Sequence, residues 1–489
     1  MRRKSDPARE APGAGRPGTA LASWNESPLR DLGLGWSMHP DGPAADSAAG
    51  VRAERLLGRL KTRALQESAE RSVGRVSRIV GLTVESAGPR ARLGDRAEIE
   101  AEEGSLPAEV VGFRDGRVLL MPLGDARRVA PGARVTADGR PFTVRVGKNL
   151  LGRTVDGLGL PIDGLGPLGG PRWETERRPP AAQERAPIRT ALSTGVRAID
   201  GLCTVGRGQR LGIFAGSGVG KSTLLGMIAR EAAADVIVIG LIGERGREVR
   251  DFLDDVLGSE ALRRATVVVA TSDEPARVRI RAAQVATTIA EAFRAEGLDV
   301  LLIVDSITRY AMALREVGLA VGEPPTARGY TPSVFAELPR LLERAGTARE
   351  GSITAFYTVL VDGDDMTEPI TDSVRSIVDG HIVLTRSLAE LGHFPAIDPA
   401  QSVSRLMGEV ASPRHVRAAV RLRSLWTTYE ESADLLRIGA YTPGSMPELD
   451  RAVQGRSDIE AFLRQDLGQH TPLVETEERL FAMAERWGF

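Results

Sequence analysis

Cysteine is almost missing from this chain: Cys203 stands alone among 489 residues. A single thiol excludes a disulfide framework and a cysteine zinc cluster. Long apolar runs are missing as well, and none reaches the ~20 residues needed to span a bilayer. Neither sign of charge dominates. With 64 Lys and Arg against 65 Asp and Glu, the net charge is −1, which excludes a protein-wide footprint for nucleic acid and leaves only a local patch open. Behind the basic start Met1-Arg2-Arg3-Lys4 comes Pro- and Gly-rich sequence instead of an apolar core, so no secretion signal is expected and the chain reads as cytosolic. What is present, 42% hydrophobic and 26% charged residues, is normal for a soluble globular protein, and the length suggests about three domains.

The pattern changes several times along the chain. Residues 1–50 are rich in Ala, Gly, Pro and Ser without periodicity, so a disordered tail is expected, with Trp24 and Trp36 as incidental aromatics or partner anchors. Over 51–72, Ala53, Leu57, Leu60 and Ala64 recur at helical spacing among Arg52, Arg55, Arg59, Lys61 and Arg63. This is a basic amphipathic helix, which either packs on its own protein or meets a partner or a lipid surface. Residues 73–146 read as a small β-barrel. Its strand candidates are 75–84, 97–100, 109–111, 117–121 and 142–144, with turn pairs such as Asp115-Gly116 and Asp138-Gly139 between them. A Gly/Pro-rich connector opens the next domain, 147–405. There apolar strands at 236–242, 266–269, 300–304, 353–359 and 382–384 alternate with helices such as 282–294, which predicts an α/β fold with a largely parallel sheet. From 406 to 489 the strand signal fades and a helical C-terminal domain is expected, with helices near 416–436 and 459–465.

Chemistry enters with Ala215-Gly216-Ser217-Gly218-Val219-Gly220-Lys221-Ser222-Thr223, a glycine loop between a strand and a helix that reads as a Walker A phosphate loop. Glycines let successive backbone N–H groups turn inward around phosphates. Lys221 supplies a cation for the β- and γ-phosphates and Ser222 a hydroxyl for Mg²⁺. Ala215 stands where the strict pattern has glycine, and is still small. Asp305 ends an apolar strand in the Walker B manner, where it would act on magnesium through water. Glu244 ends another strand, in Gly243-Glu244-Arg245-Gly246-Arg247-Glu248. It is placed to polarise water for attack on the γ-phosphate, or to pair with Arg245 or Arg247 at the surface.

Residues 215–223, 243–249 and 395–404, the last carrying Pro395-Ala396-Ile397-Asp398 and Ser402-Val403-Ser404, together resemble the rotary ATP synthase superfamily. Within it the chain is most similar to the flagellar protein-export ATPases. Residues 204–210, Gly322-Glu323-Pro324-Pro325-Thr326, 351–360 and Ile438-Gly439-Ala440-Tyr441 carry that likeness, which runs from about 73 to about 463. The resemblance implies a homohexamer of chains with a β-barrel, a RecA-like nucleotide domain and a helical C-terminal domain. It makes Lys221, Glu244 and Arg405 catalytic, Arg405 acting in the neighbour's site. It lays Phe394 on adenine in place of the usual tyrosine, and adds Glu248 to Ser222 and Asp305 as a water-mediated contact to Mg²⁺. The implied activity is ATP hydrolysis that drives unfolding, chaperone release and entry of export substrates. The implied partners are a stator-like regulator, the export gate, chaperones, substrates and acidic lipid, at the inner face of the cell membrane. A virulence type III secretion ATPase shares nearly every motif, although Leu120-Met121-Pro122-Leu123 and the run 308–313 lean toward the flagellar group. A Rho-like RNA translocase is the alternative of another class. Phe113 is the only aromatic between 73 and 140, so platforms for stacking bases are missing.

Overall fold

The computed structural model describes residues 72–361, 363 and 365–487. The tail expected over 1–50 and almost all of the basic helix expected over 51–72 lie outside them.

Six strands close a barrel: β1 (Ser72–Val80), β2 (Thr83–Ala87), β3 (Asp95–Ala101), β4 (Gly104–Arg114), β5 (Arg117–Pro122) and β6 (Arg134–Pro141), in the order β1-β2-β5-β4-β3-β6. Alternate residues such as Val84, Ile99, Val110, Leu120 and Val135 fill its interior. The barrel departs from the sequence expectation in two places. The run 75–84 turns back at Gly81-Leu82 and becomes two strands, because a hairpin lets the same apolar residues face one interior. The segment 142–144 lies outside the barrel and pairs with Arg172–Glu174; the sixth strand is β6, which runs through Asp138-Gly139.

The central sheet contains β7 (Arg153–Asp156), β8 (Arg210–Ala215), β9 (Val236–Glu244), β10 (Ala265–Thr271), β11 (Asp299–Asp305), β12 (Ser352–Leu360), β13 (Gly380–Leu384) and β14 (Val403–Ser404). Their order is β14-β13-β8-β12-β11-β9-β10-β7, parallel except for β14, with the short strand Gly346–Thr347 added antiparallel to β12. Both faces are covered, so the strands are apolar without alternation; in β9 every residue before Glu244 is buried. Ile237, Ile239 and Leu241 pack toward α1 (Lys221–Glu231), while Val236 and Val238 share a core with α2 (Ala276–Ala295), α3 (Ile307–Val321) and α4 (Pro332–Leu342). Three long helices follow, α5 (Pro413–Glu431), α6 (Pro447–Leu463) and α7 (Leu473–Arg486), and Trp426 of α5 is the largest side chain buried among them. Among the described residues, no helix is long and apolar enough to cross a membrane.

A charged cluster ties the barrel to α2. Glu109 of β4 is 2% exposed and is bonded to Arg277 and to Arg281, whose Nε donates at 2.8 Å. Burial alone would raise the Glu109 carboxyl, but the two guanidinium groups outweigh it and hold the pKa below the usual range. Removing the arginines would strand a buried carboxylate, and removing Glu109 would leave them only the half-exposed Glu176, 3.5 Å from Arg277 and 3.1 Å from Arg281.

Candidate functional site

In an open parallel sheet, ligands meet the carboxyl ends of the strands. Ala215 ends β8 there, level with Leu360 and Leu384. The chain then turns through Gly216–Gly220, where Gly218 (φ +80°) and Gly220 (φ +89°) adopt the left-handed backbone that favours glycine, and enters α1 at Lys221. Ser217, Gly218, Ser222 and Thr223 are exposed while Val219 is buried, so the loop is anchored from below and open above. The N-terminal end of α1 contributes a positive partial charge at this opening.

Lys221 does not reach into solvent. Its ammonium donates to Asp305 Oδ1 and lies 3.5 Å from Glu244 Oε1. Burial pulls its pKa down, but Asp305 and then Glu244 outweigh burial, and the group stays firmly protonated. Asp305 is 3% exposed and also accepts a hydrogen bond from Thr358 Oγ1 at 2.7 Å. Glu244 reaches the cluster through an irregularity. The pairing of β9 with β10 slips between Ile242 and Glu244, where Gly243 takes φ +72°. A Cβ at Gly243 would stand 2.9 Å from Arg309 Cβ, so only glycine permits this bend. Burial pushes the Glu244 carboxyl up to about 7; Lys221 opposes the rise, while Asp305 and Glu248 add to it.

The surface ion pair that would compete for Glu244 does not form. Arg245 pairs with Glu248 at 3.3 Å and Arg247 with Asp251 at 3.5 Å. Glu248 is exposed at the start of the short helix Gly246–Asp251, beside Glu244. Phe394 is 46% exposed, and its ring covers Gly220: a Cβ there would meet it at 3.5 Å. Its carbonyl accepts from the Gln465 backbone N–H just beyond α6, which ties the helical region to the rim of the loop.

Arg405 lies elsewhere. It follows β14, whose Ser404 pairs with Gly380 at the amino end of β13, whereas Leu384 at the other end is level with Ala215. Those four steps are roughly 13 Å along the strand, before the loop adds more. The Arg405 side chain is exposed and donates to the Arg375 carbonyl at 3.1 Å.

Two residues of the cluster escaped the sequence reading. Arg309 of α3 packs its stem on Gly243, next to Glu244 in the chain, and its buried Nε has no hydrogen-bond partner among the described residues. Thr358 is fully buried in β12, next to Asp305. A cation four residues past the Walker B acid was a usable signal for Arg309. Thr358 reads as strand core and gave none.

The site is thus a phosphate-shaped loop with a lysine and two strand-end acids at one end of a parallel sheet, with the stem of Arg309 packed on the Glu244 strand at Gly243. Comparison with known proteins agrees with it. The nucleotide-binding domain of the ATP synthase alpha/beta family matches residues 195–404, and that family's beta-barrel domain matches 76–139. The flagellum-specific ATP synthase of Bacillus subtilis is 54% identical over 407 residues, 82% of this chain and 93% of that protein. The chain belongs to the ATP synthase alpha/beta family. A further match, to the T3SS EscN ATPase C-terminal domain over 411–482, puts it with the export branch of the family. The flagellum-specific ATP synthase of Salmonella typhimurium is 49% identical over 82% of this chain and 91% of its own. The type 3 secretion system ATPase of Pseudomonas savastanoi pv. phaseolicola is 48% identical over 86% and 95%. The solved structure of assembled EscN from enteropathogenic E. coli superposes with a TM-score of 0.80 at 48% identity, covering 84% of this chain and 99% of that one. A second EscN structure, in complex with its central stalk EscO, gives 0.78. Family membership sets aside the Rho-like RNA translocase.

Proposed function

We propose that this alpha/beta-family chain is a flagellar export ATPase, a homohexamer that hydrolyses ATP to drive unfolding, chaperone release and entry of substrates into the export apparatus. The observation that carries the reading is the meeting of Lys221, Glu244 and Asp305 beneath an exposed phosphate loop. The higher identity to the flagellum-specific relatives favours the flagellar over the virulence apparatus.

The residues present suit magnesium. Ser222 offers an exposed hydroxyl, and Asp305 Oδ2 accepts no hydrogen bond from the described residues, so hard oxygen donors are available. Among the described residues no group of three or more His, Cys, Asp or Glu is placed to hold a metal ion. When bound, Mg²⁺ would neutralise charge on the β- and γ-phosphates. The chain's own groups do the rest. The loop N–H groups and the N-terminal end of α1 bind phosphate oxygens, and Lys221 leaves its two acids for the β- and γ-phosphates. Glu244 orients the attacking water and accepts its proton. Arg405 is too far from its own loop, which favours the finger role in trans: Arg405 of the partner subunit would bind the γ-phosphoryl oxygens. Phe394 stacks on adenine, and Glu248 holds water at the metal side.

The assembled EscN structures support a ring, and the EscN–EscO complex supports a stalk-like regulator as a partner. The export gate, chaperones and acidic lipid complete the proposed partners, on the cytoplasmic side of the membrane. The test has two arms. Purified protein should release phosphate from ATP only with Mg²⁺, and Lys221→Ala should not. In the source cell, Lys221→Ala should abolish flagellar export and motility; a motile strain with normal export would refute the assignment.

A further inference from the structure

Asp305 receives both of its hydrogen bonds on one oxygen. Lys221 Nζ and Thr358 Oγ1 both donate to Oδ1, the hydroxyl at 2.7 Å, and among the described residues no donor reaches Oδ2. Thr358 is 0% exposed and stands one step beyond the Val304–Tyr357 pair of β11 and β12. A threonine hydroxyl has a single proton. Its other acceptor, the Val304 carbonyl, is 3.4 Å away, so the proton belongs to the carboxylate. The donor is also rigid: a β-branched side chain has few rotamers, and the strand end is pinned where Leu360 N–H donates to Thr308 Oγ1 at 2.8 Å.

The two donors part company when nucleotide binds. Lys221 is required by the phosphates and must give up Asp305. Thr358 lies within the sheet and has no phosphate to turn to. We infer that Thr358 is a positioning residue that keeps Asp305 Oδ1 turned into the sheet, and Oδ2 toward the Ser222 side, after Lys221 has left for the nucleotide. The inference rests on the proposed metal-side role of Asp305. Without the hydroxyl, Oδ1 would be a buried acceptor with no partner, and the carboxylate would rotate to find one.

The test uses the full-length protein and a non-hydrolysable ATP analogue, with binding followed by calorimetry across a Mg²⁺ titration. Thr358→Val keeps the branched shape and removes the proton. It should raise the Mg²⁺ concentration for half-maximal tightening by about tenfold, the scale of one hydrogen bond to a charged group, and leave analogue binding in EDTA unchanged. Thr358→Ser should restore the native Mg²⁺ dependence, and Thr358→Ala should reproduce the defect if the valine variant folds poorly. A lowered melting temperature with an unmoved Mg²⁺ dependence in both valine and alanine variants would overturn the inference. Asp305→Asn separates the two levels. If it also leaves the Mg²⁺ dependence native, the reading of Asp305 itself has failed; if it shifts the dependence while Thr358→Val does not, only the role of Thr358 falls.

Discussion

Glu244→Gln isolates one charge at nearly constant shape. Glutamine can still orient a water but cannot take its proton, so kcat should fall on the order of 10²–10⁴-fold, the usual contribution of a positioned base. That is about 3–5 kcal/mol of barrier. ATP binding should survive, because the loop and Lys221 hold the phosphates. The pH profile is the sharper readout. Burial pushes the Glu244 carboxyl of the free protein up to about 7, and kcat/KM reports groups of the free enzyme. In the native protein kcat/KM for ATP should therefore drop about tenfold per pH unit below pH 7, to roughly one tenth of its plateau at pH 6. The small residual rate of Glu244→Gln should lack this limb.

Stability reads the same group with the opposite sign. A carboxyl whose folded pKa lies above its ordinary value of 4.5 binds its proton more tightly when folded. Its contribution is full below about pH 4.5 and is lost as pH rises through about 7. Between pH 5 and 8 the melting temperature of Glu244→Gln should thus fall less than that of the native protein. The assay is phosphate release at limiting and saturating ATP from pH 5.5 to 9, with melting curves over the same range. A native midpoint near 4.5, or an acidic limb unchanged in Glu244→Gln, would refute the assignment of Glu244 as the base.

Arg405→Ala should bind ATP yet lose on the order of 10³–10⁵ in rate, and mixing it with Lys221→Ala should restore some activity by joining an intact loop to an intact finger; no rescue on mixing places the whole site in one chain. Phe394→Ala should weaken ATP binding by roughly 2–10-fold, the loss of 0.5–1.5 kcal/mol of stacking, while Phe394→Tyr should stay near native in the same titration. Gly243→Ala forces φ +72° on a residue with a Cβ and crowds Arg309, so it should cost about 1–2 kcal/mol in urea unfolding and most of the hydrolysis. Glu109→Ala leaves the buried Arg277 and Arg281 with only the half-exposed Glu176 as a shared acid and should destabilise by up to about 3–5 kcal/mol, measured by the same unfolding.

How much of this molecule could be read from residue order depends on whether the cause is local. The run Val236–Gly243 is a buried parallel strand because nothing polar interrupts it, and that is visible in any window of the chain. The phosphate loop is equally local, since glycine spacing and the backbone it permits are the same statement. Misreadings begin where distant contacts decide. Asp138-Gly139 keeps its turn chemistry, Gly139 at φ +63°, but as an unpaired irregularity inside β6 and not as a strand end: β1 pairs with this strand up to Ala137, and β3 pairs at Ala137 and again at Pro141. Glu244 could be read as a base or as a surface ion pair until the slip at Gly243 showed it delivered to Lys221 while Arg245 and Arg247 took other partners. Arg309 and Thr358 lie deeper still: each gains its meaning only from a neighbouring strand, Arg309 from the bend at Gly243 and Thr358 from the Asp305 carboxylate. Arg405 is the limiting case. No pattern within one chain marks an exposed arginine at the amino end of a sheet edge as part of a site at the carboxyl ends, roughly 13 Å or more away. If the proposed ring is correct, its geometric partner is the next copy's loop, and that adjacency is a property of the assembly, not of the fold. Resemblance can suggest such a residue, the monomer can show that it is stranded from its own loop, and the mixing experiment decides whether a neighbour claims it.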